Sequence, residues 1–116
     1  MQYRKLGKSG LDVSVVGLGG WAIGGNIEQW APVDDNESIA AIREGIELGI
    51  NFIDTAPGYG YGHSEEVVGR AIAGLRDNLV IATKCGLAWR ERGGKLEHNL
   101  RPEAVRREYE ASLRRL

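Results

Sequence analysis

The fold is decided by residues 50–84, which read INFIDTAPGYGYGHSEEVVGRAIAGLRDNLVIATK. The short apolar run 50–53 is typical of a buried strand, and a glycine-rich loop follows it. Ser64 is a candidate cap for a helix, and the β-branched run 79–83 predicts the next strand. This strand–helix–strand order predicts parallel strands joined by a right-handed crossover. The predicted inner face of the helix comprises Val67, Val68, Ala71, Ile72 and Leu75.

The same alternation continues in both directions along the chain. Upstream, residues 3–13 predict a short hairpin with a glycine turn, and residues 13–18 predict a buried strand. Asp34 can then cap a helix, with Glu37 completing a capping-box pattern. Downstream, Pro102 suits the first turn of a third helix. The predicted buried stripes are Ile39, Ile42 and Ile46 in the first helix and Val105, Tyr109, Leu113 and Leu116 in the third.

Three strand–helix units of this kind fit either an eight-fold α/β barrel or an open, doubly wound sheet. Residues 17–22 match the G-x-G-x-x-A form of the dinucleotide fingerprint, which favours the open sheet. That fingerprint requires a helix to begin directly after it, whereas the sequence predicts no helix before Asp34. The barrel is therefore the favoured interpretation.

Composition limits the range of functions. The chain has 116 residues, a net charge of -1 and 42% apolar residues, which predicts one small α/β domain over residues 1–116. The charge balance gives no basis for binding nucleic acid or an anionic membrane. The sequence contains neither a signal-peptide pattern nor a long apolar run, and its single cysteine, Cys85, fits a reducing compartment. We expect a soluble cytoplasmic protein.

Polar residues follow the predicted strands at the end where barrels carry their chemistry. Asp54 ends the second strand, Lys84 ends the third, and Tyr59 lies in the loop between them. Adjacent parallel strands are about 4.8 Å apart, so the carboxylate and the ammonium can pair and the tyrosine can reach the ammonium. A phenol donates its proton more readily when a nearby ammonium stabilises the phenolate. These residues can therefore protonate a carbonyl oxygen while a cofactor delivers hydride.

Several motifs give the chain a resemblance to the aldo-keto reductase family. Residues 52–69 resemble the family signature, in which Asp-Thr-Ala is followed by Tyr-Gly, Ser-Glu and Gly. Residues 81–84 resemble its lysine motif, and residues 3–7 and 17–21 resemble its N-terminal hairpin and first barrel strand. The resemblance implies the N-terminal part of a (β/α)8 TIM barrel, with about three βα units after a β-hairpin. It also implies an NADPH-dependent enzyme that reduces aldehydes or ketones, acting on a small-molecule carbonyl substrate.

The resemblance also implies roles for individual residues, and none of them binds a metal. Tyr59 is expected to be the general acid, Lys84 its partner and Asp54 the residue that orients the lysine. Gly20, Trp21 and Asp54 are expected to contact the cofactor NADPH. The expected walls of the substrate pocket are Trp21, Trp30 and Trp89.

One part of the family pattern is not found in this sequence. The family has a further histidine at the end of the fourth strand, and this chain reaches Leu116 before such a strand, while His63 and His98 fall in predicted loops. We therefore expect open sheet edges, association with another copy or with a missing C-terminal half, and little carbonyl reduction by the chain alone. The alternative is a catalytically incomplete fragment that acts only as a self-associating or binding module.

Overall fold

The computed structural model describes residues 1–25 and 33–116. Three parallel strands, two hairpins and three α-helices account for most of these residues. None of the described helices is both long and apolar enough to cross a membrane. In chain order the elements are β1 (Tyr3–Lys5), β2 (Asp12–Ser14), β3 (Leu18–Gly19), α1 (Asp35–Glu47), β4 (Phe52–Asp54), α2 (His63–Ile72), β5 (Val80–Ala82), β6 (Leu87–Ala88), β7 (Glu97–His98) and α3 (Pro102–Arg115), with short 3₁₀ turns at Ala22–Gly24 and Arg76–Asn78.

The parallel sheet has the order β3-β4-β5, as the strand–helix alternation predicts. Gly19 pairs with Asp54 and Asp54 pairs with Ala82, so the three carboxyl ends lie level with one another. The core lies between this sheet and the helices. It comprises Ile42 of α1, Ile53 of β4, Val67, Val68, Ala71 and Ile72 of α2, and Leu79.

The amino-terminal run 13–18, predicted as one strand, is divided in the structure. Ser14 ends the hairpin strand β2, and the sheet strand β3 begins only at Leu18. Asn51, just before β4, explains the division because its side chain accepts from the Ser14 amide at 2.7 Å and donates to the Asp12 carbonyl at 2.9 Å. These bonds hold the hairpin at the amino end of the sheet, opposite the predicted site.

Helix α1 agrees with the sequence prediction. The Asp34 carboxylate accepts from the amides of Asn36 and Glu37 at 2.7 and 3.1 Å, which satisfies two otherwise unpaired donors. Ile42 is fully buried, and Ile39 and Ile46 pack against the core from either side.

The predicted cap of α2 was wrong. The helix begins at His63 after Gly62, which has a φ of 92°, and Ser64 lies inside the first turn. The Ser64 hydroxyl is fully buried and bonds the Gly20 carbonyl and Thr55 instead of its own helix. The histidines also differ from prediction, since His63 opens this helix and His98 lies in β7.

Helix α3 begins at Pro102 as predicted, but its buried face differs from the predicted one. Tyr109 and Leu113 are each 60% exposed, whereas Ala104 and Ser112 are buried. Helix α3 ends against the backbone of α2, where a Cβ at Gly69 would overlap the Arg115 carbonyl oxygen. Of the remaining predicted positions, Val105 is half-buried and Leu116 packs against the core.

A buried carboxylate connects α2 to β5 and α3. Glu65 is fully buried, accepts from the Thr83 hydroxyl at 2.6 Å, and forms an ion pair with Arg115 at 2.7 Å. Both carboxylate oxygens therefore have partners, which offsets the cost of removing the charge from water.

Replacing Glu65 with glutamine should lower the free energy of unfolding by about 3 kcal/mol, because it leaves the largely buried Arg115 guanidinium without its counter-charge. Urea denaturation followed by circular dichroism measures this loss. The neighbouring Glu66→Gln is the matched control, since Glu66 is exposed and its substitution should change stability by less than about 0.5 kcal/mol. Equal effects of the two substitutions would contradict a structural role for the buried pair.

A second ion pair joins the amino ends of α1 and α2. The Asp35 carboxylate contacts the His63 ring and the Arg70 guanidinium, each at 2.8 Å. Burial by itself raises the pKa of Asp35, but the hydrogen bonds and charges of His63 and Arg70 outweigh it and hold the pKa below its ordinary value of 3.8.

This lowered pKa predicts an acid-dependent loss of stability. The unfolded state takes up the Asp35 proton at a higher pH than the folded state, so the contribution is present above about pH 3.8 and is lost as the pH falls through the folded pKa. Asp35→Asn should flatten the stability profile in that acid range, as measured by urea unfolding at several pH values. Asp77→Asn, at an exposed aspartate, should leave the slope unchanged, and an unchanged slope in Asp35→Asn would be evidence against the linkage.

Candidate active site at the carboxyl ends of the strands

A buried hydrogen-bond network joins the ends of β3 and β4 to the start of α2. The Gly20 amide donates to the Asp54 carbonyl at 2.7 Å, and the Ser64 hydroxyl donates to the Gly20 carbonyl at 2.6 Å. Since a hydroxyl has one proton, Ser64 accepts from the Thr55 hydroxyl, 2.9 Å away. A Cβ on Gly20 would lie 2.7 Å from the Ser64 oxygen, so position 20 requires glycine.

The carboxylate and the ammonium that the sequence predicted to pair are in contact. Lys84 Nζ lies 2.9 and 3.0 Å from the two Asp54 carboxylate oxygens and donates to the Thr55 carbonyl at 2.9 Å. The ammonium is therefore held by groups of both β4 and the residue after it. The two side chains are 47% and 45% exposed, so their alignment depends on the strand register more than on burial.

The same contacts determine the charge of the lysine. Burial by itself lowers the pKa of Lys84, but the hydrogen bonds and charges of Asp54 and Tyr59 outweigh it and raise the pKa above 10.5. The side chain is therefore an ammonium ion throughout the neutral pH range.

Tyr59 lies beside this ammonium. Lys84 Nζ is 4.9 Å from the centroid of the Tyr59 ring, within the range of a cation–π contact. The loop that carries the tyrosine is held against residues 22–25, because Gly24 and Gly60 meet backbone to backbone and a Cβ on Gly60 would overlap the Gly24 carbonyl oxygen. The structure thus brings the three predicted catalytic residues together.

A cleft of about 330 Å³ opens beside these residues. One side carries Tyr59 and Lys84, and Trp21 contributes an indole that is 46% exposed. Most of the other walls are apolar, which suits a small organic molecule with one polar group. The lining residues are Trp21, Ala56, Pro57, Gly58, Tyr59, Lys84, Cys85, Leu87, Leu96 and Glu108.

Three residues that the sequence assigned to the site, Trp89, Gly20 and Asp54, do not line this cleft. Trp89 lines two neighbouring grooves and packs edge-on against Tyr61, with ring centroids 5.7 Å apart. Gly20 and Asp54 support the cleft without lining it, the first through Ser64 and the second through Lys84. Trp30 lies outside the described residues.

One side of the cleft was not predicted from the sequence. No strand was predicted between Lys84 and Pro102, but this segment contains the hairpin β6–β7, and its residues Leu87 and Leu96 line the cleft. The pair of turn residues Gly93 and Gly94, which follows the apolar run 87–89, was the signal for it. Glu108 of α3 was also missed; it accepts from the Gly86 amide at 2.7 Å and holds the base of the hairpin. No group of three or more potential metal ligands occurs in the part of the chain that the structure describes.

Parallel βα units with an acid, an ammonium and a tyrosine at one end define part of an α/β-barrel site. The profile of the Aldo/keto reductase family matches residues 15–116. The NADH-specific methylglyoxal reductase of Escherichia coli is 43% identical over 120 residues, covering 96% of this chain and 37% of that protein.

Solved structures agree with the sequence comparison. The glycerol dehydrogenase of Gluconobacter oxydans superposes with a TM-score of 0.83 at 43% identity, over 98% of this chain and 35% of that one. An aldo-keto reductase of Klebsiella pneumoniae in complex with NADPH gives a TM-score of 0.67 at 35% identity, over 91% and 32% of the two chains.

The chain belongs to the aldo/keto reductase family, and its fold is part of that family's (β/α)8 barrel. It spans about a third of the length of these relatives. The predictions of family and fold class made from the sequence are confirmed.

Substitution of Gly20 tests the network below the cleft. Gly20→Ala should lower the free energy of unfolding by about 1–3 kcal/mol, because the new methyl group forces Ser64 and Thr55 apart. Gly19→Ala is the matched control, since a Cβ at the neighbouring glycine meets no atom within 4 Å. Chemical denaturation of both variants measures the difference, and a Gly20→Ala protein as stable as Gly19→Ala would show that the network tolerates displacement.

Proposed function

We propose that this chain provides the proton donor and its supporting ion pair to an NADPH-dependent oxidoreductase that reduces aldehydes or ketones to alcohols. Tyr59 is the general acid, Lys84 its electrostatic partner and Asp54 the residue that orients the lysine. The observation that supports the proposal most directly is the contact among these three residues at the edge of an apolar cleft.

The roles follow from the chemistry of the three groups. The phenol of Tyr59 donates its proton to the carbonyl oxygen of the substrate, and the Lys84 ammonium stabilises the phenolate that remains. The bonds from Lys84 to the two Asp54 carboxylate oxygens and to the Thr55 carbonyl hold the ammonium in one place beside Tyr59. Proton transfer then requires no reorganisation of the charged groups.

The cleft is suitable for a nicotinamide ring beside these residues. The exposed indole of Trp21 offers a flat surface on the wall of the cleft that holds Tyr59 and Lys84. Trp21 would contact the ring directly, while Gly20 and Asp54 would support the site through Ser64 and Lys84. When bound, the reduced cofactor supplies the hydride that is added to the carbonyl carbon. We propose NADPH rather than NADH because of the family resemblance. The methylglyoxal reductase of Escherichia coli is NADH-specific, so both cofactors should be tested.

A second candidate is a catalytically incomplete module that binds a partner or a second copy of itself. One observation favours it: the outer strands β3 and β5 each have one sheet neighbour among the described residues. The two functions differ in whether the cleft binds a reduced nicotinamide and consumes it.

Tyr59→Phe tests the proposal. The substitution removes only the hydroxyl, so it should reduce kcat for aldehyde reduction by about 10²–10⁴-fold while leaving cofactor affinity unchanged. Fluorescence titration measures binding of NADPH and NADH, and oxidation of the bound cofactor after addition of an aldehyde measures turnover. Tyr109→Phe, at an exposed tyrosine on α3, is the control and should behave as the unmodified protein.

The results separate the two candidate functions. Saturable binding with turnover that Tyr59→Phe abolishes supports the enzyme. Full turnover by Tyr59→Phe would exclude Tyr59 as the acid. Failure of the unmodified protein to bind either cofactor would favour the binding module.

A further inference from the structure

The hairpin β6–β7 forms a wall of the cleft and is fixed at its base. The Gly86 amide donates to Glu108, and the Asn99 amide donates to the Gly86 carbonyl at 3.0 Å. Leu87 lies close to the loop of Tyr59, because its Cδ1 is 3.8 Å from the position that a Cβ on Gly58 would occupy. These contacts involve the base of the hairpin, so its far end, the turn at Gly93 and Gly94, requires other contacts to hold it.

Tyr61 contacts the far end of the hairpin, where Arg92 also forms an ion pair with Glu66 at 3.3 Å. The Tyr61 hydroxyl donates to the Gly94 carbonyl at 2.9 Å, and its ring packs edge-on against Trp89. One contact therefore falls on the turn of the hairpin and the other on the residue directly after β6. Both come from a residue two positions from Tyr59.

The backbone of Tyr61 is strained, so its contacts with the hairpin form at an energetic cost to the backbone conformation. Its φ is 57°, in the left-handed region, and it is the non-glycine residue with a positive φ in the described part of the chain. An aromatic residue adopts this conformation only where the surrounding structure imposes it. Glycine would satisfy the backbone without strain but would make neither contact with the hairpin.

We propose that Tyr61 is a positioning residue that holds the hairpin β6–β7 over the cleft, so that Leu87 and Leu96 select carbonyl substrates with an extended apolar group. The selection rests on the proposed function, because the carbonyl is oriented by Tyr59 and Lys84. Leu87 and Leu96 line the same cleft as Tyr59 and Lys84, so a bound molecule can place its carbonyl against the polar pair and its alkyl chain against the leucines. At about 30 Å³ for each water-sized group, the cleft has room for roughly ten non-hydrogen atoms.

Limited proteolysis tests the positioning role without requiring catalysis. The exposed residues Arg90, Arg92 and Lys95 provide trypsin sites between β6 and β7. Tyr61→Phe removes the bond to Gly94, and Tyr61→Gly removes both contacts while relieving the backbone. Both variants should be cleaved at these sites severalfold faster than the unmodified protein, and the control Tyr109→Phe should not. Cleavage of both Tyr61 variants at the unmodified rate would overturn the proposal.

The same assay tests the apolar selection. Hexanamide, an unreactive carbonyl compound, should protect the hairpin of the unmodified protein in a saturable manner, whereas acetamide should not. Leu96→Ala and Tyr61→Phe should each weaken the protection by hexanamide. Equal protection by the two amides, or protection by neither, would contradict selection by this wall.

Turnover provides a third measurement. With NADPH as reductant, Tyr61→Phe should raise KM for hexanal severalfold and leave kcat for propanal unchanged. An equal rise in KM for both aldehydes would contradict the proposal. Absence of turnover in the unmodified protein would count against the proposed function, while the cleavage and protection results would still decide the role of Tyr61.

Discussion

Two adjacent buried side chains in the first turn of α2 connect the carboxyl ends of all three parallel strands. Ser64 bonds to the Gly20 carbonyl after β3 and to Thr55 after β4, and Glu65 bonds to Thr83 after β5 and to the last turn of α3. A sheet of two- and three-residue strands has few ladder hydrogen bonds of its own. The side-chain bonds therefore decide where its ends lie relative to one another.

The geometry of the site follows from these bonds, although none of them involves a proposed catalytic side chain. Thr55 directly follows Asp54 and Thr83 directly precedes Lys84, so fixing the two threonines fixes the backbone on which the charged residues stand. The ion pair is half exposed, and an ion pair of this kind contributes little to stability by itself. Its significance lies in its alignment, which the buried network below it supplies.

Part of this arrangement could be predicted from local pattern and part could not. The pairing of Asp54 with Lys84 follows from parallel strands of known spacing, because equivalent strand ends meet at one edge. Ser64 was predicted as a helix cap, since a serine before an apolar helical stripe usually has that role, and tertiary hydrogen bonds outweighed the local preference. No local pattern predicts the burial of Glu65, because its partner Arg115 is fifty residues away in the sequence. The buried face of α3 was also mispredicted, since Ala104 and Ser112 are buried whereas Tyr109 and Leu113 are exposed.

The contact between Gly24 and Gly60 has a consequence for how such a sequence can change over generations. A side chain that meets another side chain can be accommodated by a new rotamer, but here each glycine meets backbone, which has no such freedom. Neither position can acquire a larger residue by a single tolerated step. A larger residue at either position would require a different backbone path for the segment after β3 or for the loop that carries Tyr59.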